Sequence, residues 1–303
     1  MNMLRNILFF LLCFAIGAGG VWLVLKVKRA PYHASPLQVT GTGPAPAWRG
    51  FEVPPGSDVA PFASFNATAV AIEYGDGSKL SAAVKAAHDA HLAVVVLPGN
   101  GQGPTFSLKD PYPRPLPEVA AEAQAAGAEA LCLSWLNDEP DEEYWMAQVA
   151  AVRKAFHGKL ILAANDDAAP MVGMWKAVDF MGIAGPVKLP RRLPGAATEY
   201  TLEDARHLWA AKLDEWESLS ARAERRLVLL NISLPADTGA TLPLAGHAAA
   251  ATPPDLRDTF YAALLTETKG RRQTEGLFLR WDSALFEPLK PQFADLWATQ
   301  AAP

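Results

Sequence analysis

The chain has 303 residues, half of them hydrophobic and fewer than a fifth charged, with a formal net charge of −5. That is ample apolar material for a large core and too little charge for a disordered chain. Basic residues occur only in short pairs such as Arg191-Arg192 and Arg271-Arg272, so the electrostatic footprint of a nucleic-acid binder is missing.

The first segment, MNMLRNILFFLLCFAIGAGGVWLVLKVKRA, sets Arg5 ahead of an uncharged apolar run from Ile7 to Leu25. A run of that length spans a bilayer core, so residues 1–29 read as an uncleaved transmembrane anchor, with the membrane engaged through residues 7–25. The alternative is a cleaved signal peptide exiting at the small residues of Ala15-Ile16-Gly17. Lys26, Lys28 and Arg29 follow the run, and by the positive-inside rule they favour a cytoplasmic domain. Residues 30–46 carry Pro, Gly, Ser and Thr without periodicity and read as a linker.

From Ala47 onward the chain alternates β-rich runs with amphipathic helical stretches. WRGFEV is followed by ATAVAIEY, the helix SKLSAAVKAAHDAH, LAVVVLPG, the helix PLPEVAAEAQAAG, AEALCLSW, the helix DEEYWMAQVAAVRKAF and KLILAAN. The second half continues with the helix MVGMWKAVD, FMGIAG, a long helix from Thr201 to about Glu224, and RLVLLNISL. It closes with the helix PPDLRDTFYAALLTETKG, EGLFLRWDS and a helix around Gln292 to Gln300. Such alternation specifies a parallel sheet, and eight β/α units in about 255 residues fit one closed (β/α)8 barrel over residues 47–303. No Gly-x-Gly-x-x-Gly turn follows the first strand, and Gly99, Gly101 and Gly103 read as a loop. Cys13 and Cys132 lie in apolar runs and behave as small hydrophobes. The six histidines are scattered without metal-ligand spacing, so neither a metal nor another cofactor is expected.

Three segments together resemble glycoside hydrolase family 113, β-mannanase-type barrels. FNATAVAIEY with SAAVKAAHDAHLAVVVLPG looks like that family's second strand, second helix and third strand. EEYWMAQVAAVRKAFHGKLILAAN is similar to its fourth helix and fifth strand, and VDFMGIAG to its sixth strand. The resemblance implies catalytic glutamates at the ends of the fourth and seventh strands, one as acid/base and one as nucleophile, with carboxyl groups about 5 to 5.5 Å apart. Laying the family's motifs on Ser134-Trp135-Leu136 and Asn231-Ile232 puts Leu136 and Ile232 at those positions, so no catalytic carboxylate is expected.

The fallback carboxylates are Glu139, Asp237 and Asp282. Asp138 and Glu139 lie two and three residues past Leu136, roughly 6 to 10 Å along an extended chain. Together with Asp141 and Glu142 they read as the capped, acidic start of a helix. Trp48, Trp135, Asn165 and Trp281 fall at or near expected strand ends, where aromatic faces and an amide could hold a sugar ring. The plainer alternative is that the tryptophans cap the barrel core. Glu52, Glu73, Asp166, Asp167 and Asp282 fall on the same rim, where they could bind sugar hydroxyls; the plainer alternative is that they are solvated loop acids.

The expectation is a membrane-anchored, catalytically degenerate barrel that binds a polysaccharide or oligosaccharide, or a membrane-protein partner. The barrel is placed on the periplasmic side of a bacterial inner membrane, the resemblance outweighing the basic flank. Two alternatives stand beside it: an active glycosidase with shifted carboxylates, and a scaffold subunit of a membrane assembly.

Overall fold

The structure, a computed structural model, describes residues 45–74, 77–98, 114–186, 202–233, 254–281 and 283–297. The anchor expected at 7–25 and nearly all of the linker lie outside the described residues, which all fall in the unit Val39–Pro303. Among the described residues no helix is long and apolar enough to cross a membrane.

Eight parallel strands close into a barrel in sequence order. They are β1 (Trp48–Val53), β2 (Ala69–Glu73), β3 (Ala93–Leu97), β4 (Ala130–Leu136), β5 (Lys159–Ala164), β6 (Phe180–Pro186), β7 (Arg226–Ser233) and β8 (Thr274–Arg280). Six α-helices are described: α1 (Gly77–Asp89), α2 (Leu116–Ala126), α3 (Glu142–Val152), α4 (Leu202–Arg222), α5 (Pro254–Thr268) and α6 (Ser283–Trp297).

The two faces of each strand define two cores. Inward residues such as Ala71, Val95, Cys132, Ile161, Val228 and Phe278 fill the barrel, and outward residues such as Phe51, Ile72, Leu133, Leu162, Leu229 and Leu279 pack under the helices. Alternation with period two produces this sorting. The interior mixes large rings with very small residues. At Gly182 a Cβ would come within 2.7 Å of the Ala163 Cβ, and at Gly50 it would meet the Ala69 carbonyl oxygen at 1.8 Å.

Two connections differ from expectation. A 3-10 helix (Ala60–Phe65) follows β1, and the segment expected as the helix MVGMWKAVD forms two 3-10 turns, Ala169–Met171 and Trp175–Ala177. Pro170 and Gly173 explain the second case: proline donates no N–H, and the Gly173 N–H is taken by the Glu142 carboxylate at 2.7 Å. The last helix starts at Ser283, well before Gln292. With the first 3-10 helix it covers the outer face of the β1–β8 seam, where Phe51, Phe62, Phe65, Phe286, Phe293 and Trp297 interlock with ring centroids 4.7–5.6 Å apart.

The acidic run after β4 does start a helix as expected. Asp141 is the N-cap of α3 and accepts from the Tyr144 N–H at 3.1 Å, with Glu142 and Glu143 in the first turn. Asp141→Ala should therefore lower stability by about 1 kcal/mol, read as a shift in the urea unfolding midpoint, because two first-turn carboxylates remain while one helix N–H loses its acceptor.

Candidate ligand site at the C-terminal end of the barrel

Parallel strands deliver their last inward side chains to one face of the barrel, so each candidate is located by its end of the strand and by its side of the sheet. Trp48 fails the first condition. It opens β1, and its ring meets Phe180, the first residue of β6, edge-on at 5.3 Å. It therefore plugs the N-terminal floor of the barrel rather than facing a ligand at the mouth.

Trp281 lies at the correct end, just past β8, but its ring belongs to the outer aromatic cluster. It is 4.7 Å from Phe51 and 4.8 Å from Phe62, and it stacks on Phe286 at 5.9 Å. Those ring faces are occupied by packing, and what Trp281 lends the mouth is its main chain, whose N–H donates to the Glu52 carbonyl at 3.0 Å.

Trp135 does point into the barrel, where it is fully buried in the interior cluster and hydrogen-bonds with the Cys132 thiol. Burial pushes that thiol up to about 12, with the Glu52 charge adding to the rise, so Cys132 is a packing residue and not a nucleophile. Asn165 is half-buried and engaged on several sides. Its main-chain N–H donates to the Leu136 carbonyl at 2.8 Å, its amide nitrogen to Asn137 Oδ1 at 3.3 Å, and its Oδ1 accepts from the Ala168 N–H at 2.7 Å. It ties the ends of β4 and β5 together beneath the mouth.

The ends of β4 and β7 carry a further difference. Strict alternation from Cys132 would turn Ser134 and Leu136 inward. A register shift between Cys132 and Trp135 inserts one residue, so Trp135 faces the interior and Leu136 faces the helices, paired with the outward Ala164. β7 does the same between Leu229 and Ile232. Asn231 takes a left-handed conformation there with φ 48°, and Ile232 lands outward beside Leu279. Leu136 and Ile232 are both buried under the helix layer. The inward neighbours at these two strand ends are Trp135 and Leu230, neither of which can transfer a proton or attack a carbon.

Of the fallback acids, Glu139 is exposed beside the equally exposed Asp138, and Asp237 and Asp282 lie outside the described residues. Asp166 is committed to α4: it pairs with Lys212 at 2.7 Å and accepts from the Trp216 indole at 2.8 Å.

The acids that do reach the interior are Glu52 and Glu73, the last inward residues of β1 and β2. Both were expected to be solvated, yet they are only 1% and 2% exposed. The signal was present in the sequence. Glu52 lies two steps from Gly50 and four from Trp48, and Glu73 two and four from Ala71 and Ala69, so both fall on the face the barrel encloses. Burial and the neighbouring Glu73 charge hold the Glu52 carboxyl well above the usual carboxylate range, with Arg280 pulling the other way.

Two carboxyl groups enclosed side by side in a dry interior cannot both ionise at ordinary cost, so one of them tends to hold a proton. Retaining hydrolysis needs them about 5 to 5.5 Å apart across the sugar, and inversion needs about 6.5 to 9.5 Å. Among the described residues no group of three or more His, Cys, Asp or Glu side chains is arranged to hold a metal ion.

A closed parallel barrel with acids under its C-terminal face is an architecture that barrel glycosidases share with many other (β/α)8 enzymes. The sequence profile of Glycoside Hydrolase Family 113 matches residues 111–297, and the chain belongs to that family. No curated protein sequence matches it.

Solved structures agree on the fold. The GH113 β-mannanase AaManA from Alicyclobacillus acidocaldarius, in complex with ManMIm, superposes with a TM-score of 0.56 at 15% identity, covering 85% of this chain and 99% of that one. A GH113 β-1,4-mannanase gives 0.55 at 16%, covering 82% and 99%. The Faecalibacterium prausnitzii β-glucuronidase gives 0.51 at 16%, covering 78% of this chain and 42% of its own.

Proposed function

We propose that the protein is a membrane-anchored, catalytically degenerate family-113 barrel that binds a β-linked polysaccharide on the periplasmic side of a bacterial inner membrane. The observation that carries this reading is the absence of a carboxylate from the described ends of β4 and β7. Leu136 and Ile232 occupy the positions onto which the family's glutamates were laid, their side chains lie under the helices, and the interior neighbours Trp135 and Leu230 are apolar. The mannanases of similar fold support carbohydrate as the ligand class, and the apolar run of residues 7–25 supports the anchor.

Sugar contact would fall to the polar rim of the mouth, namely Asn137, Asn165 and Arg280, because Trp48, Trp135 and Trp281 are engaged in packing. The test uses the full chain in detergent micelles with a panel of β-1,4-linked manno- and gluco-oligosaccharides. The expected result is no hydrolysis above background together with calorimetric binding of at least one member. Turnover that disappears on Glu139→Gln would instead establish an active enzyme with shifted carboxylates. Neither turnover nor binding would leave a scaffold subunit, with a protein rather than a glycan as partner. Retention of the chain in the membrane pellet after carbonate extraction checks the anchor separately.

A further inference from the structure

Glu52 and Glu73 are the buried titratable groups that the proposed function leaves unused. They close the interior from adjacent strands, β1 and β2, and both side chains turn inward by the alternation that sends Gly50 and Ala71 there. Across the other edge of β1 the register sets Glu52 opposite Arg280, whose side chain is exposed at the rim. The strand end is fixed by the main-chain bond from the Trp281 N–H to the Glu52 carbonyl, so Glu52 can change partner by side-chain rotation without moving β1. The charged or titratable groups that act on Glu52 are Glu73 from β2, Arg280 from β8 and the Cys132 thiol from β4. The thiol stays protonated throughout the working range.

We propose that Glu52 and Glu73 hold one proton between them as a latch under the barrel mouth, and that loss of the proton swings Glu52 from Glu73 to Arg280. In the latched state the protonated Glu52 donates to the Glu73 carboxylate, and the buried pair carries one negative charge. Two adjacent buried carboxylates repel strongly in a low-dielectric interior, and the exposed guanidinium across the β1–β8 seam is the nearby opposite charge that relieves them.

The direction with pH follows from Glu52 being raised above its unfolded value. Its stabilising contribution is fully present below the ordinary glutamate range and is lost as pH rises through the folded-state value. Release of one proton makes the folding equilibrium constant fall about tenfold per pH unit over that window. The latch is therefore closed in mild acid and opens toward alkaline pH.

Two measurements on the full chain in micelles test this. Infrared difference spectra recorded as pH rises above the ordinary glutamate range should show a protonated-carboxyl band that Glu52→Gln removes. Urea unfolding across pH should give wild type the tenfold-per-unit decline, whereas Glu52→Gln, which keeps a hydrogen-bond donor and cannot ionise, loses the decline and is the more stable protein at the alkaline end. Arg280→Gln, at an exposed site, should move the loss of the band to higher pH, and Glu73→Gln should move it to lower pH. A wild-type protein with no protonated-carboxyl band anywhere above the ordinary glutamate range, or unfolding curves of wild type and Glu52→Gln that stay parallel across pH, would overturn the latch. So would Arg280→Gln and Glu73→Gln shifting the band in the same direction.

Discussion

Leu136→Glu, which writes a glutamate at the end of β4, should leave the chain without measurable glycoside hydrolysis and should destabilise it by roughly 3 to 5 kcal/mol. The reason is the inserted residue between Cys132 and Trp135. It turns position 136 away from the barrel, so the new carboxyl would lie among the outward-facing side chains around Ala164. Among the described residues around it no cation is paired there to offset its desolvation, so the group would be forced to stay protonated or to distort the sheet. Ile232→Glu fails for the same reason on β7, where the left-handed Asn231 sets the phase. The two sites are separate strand ends, and the double variant should lose about the sum. The measurement is the urea midpoint of each variant, alongside hydrolysis of β-1,4-manno-oligosaccharides. A stable Leu136→Glu, Ile232→Glu protein that turns over substrate would show that both strand ends present inward.

Trp135→Ala should cost about 3 to 5 kcal/mol, and the loss should appear in stability before it appears in ligand affinity. The indole is completely buried in the interior cluster with Ala163, Cys132 and Ile161, whose small or rigid side chains cannot collapse into the volume it vacates. Cys132 would also lose the indole as a hydrogen-bond partner, keeping its bond to the Ser134 carbonyl at 3.5 Å. Calorimetric binding and thermal unfolding on the same preparation separate the two roles. An aromatic platform for a sugar ring would lose affinity with little change in melting temperature, and the packing role predicts the reverse.

The carboxyl latch and these two strand ends are linked by their place: among the described residues, the inward side chains at the C-terminal end of the barrel are already engaged with one another. Trp135 fills the β4 side, Asn165 and Asn137 bridge the ends of β4 and β5, and the Glu52–Glu73 pair occupies the β1–β2 side.

What the sequence determined by itself is the fold and its two-layer core. Near-continuous apolar strands such as KLILAA and RLVLLN, buried on both faces and separated by capped helices, admit few arrangements other than a closed parallel barrel, and residues such as Asp141 and Gly127 mark helix ends through local chemistry alone. The depth of Glu52 and Glu73 was also legible, because their spacing from Gly50 and Ala71 assigns them to the enclosed face.

What only the tertiary structure decided is the phase of β4 and β7 at their last residues and the destination of each tryptophan. A single inserted residue leaves the hydrophobic pattern of LCLSWL or LLNIS almost unchanged while reversing which side chains face the barrel, since Leu, Trp and Ile are equally at home in either core. Trp48, Trp135 and Trp281 read alike as strand-end aromatics. Their separate fates, floor, interior and outer seam, depend on which neighbours closure of the barrel brings against them: Phe180, Cys132 and Phe286 respectively.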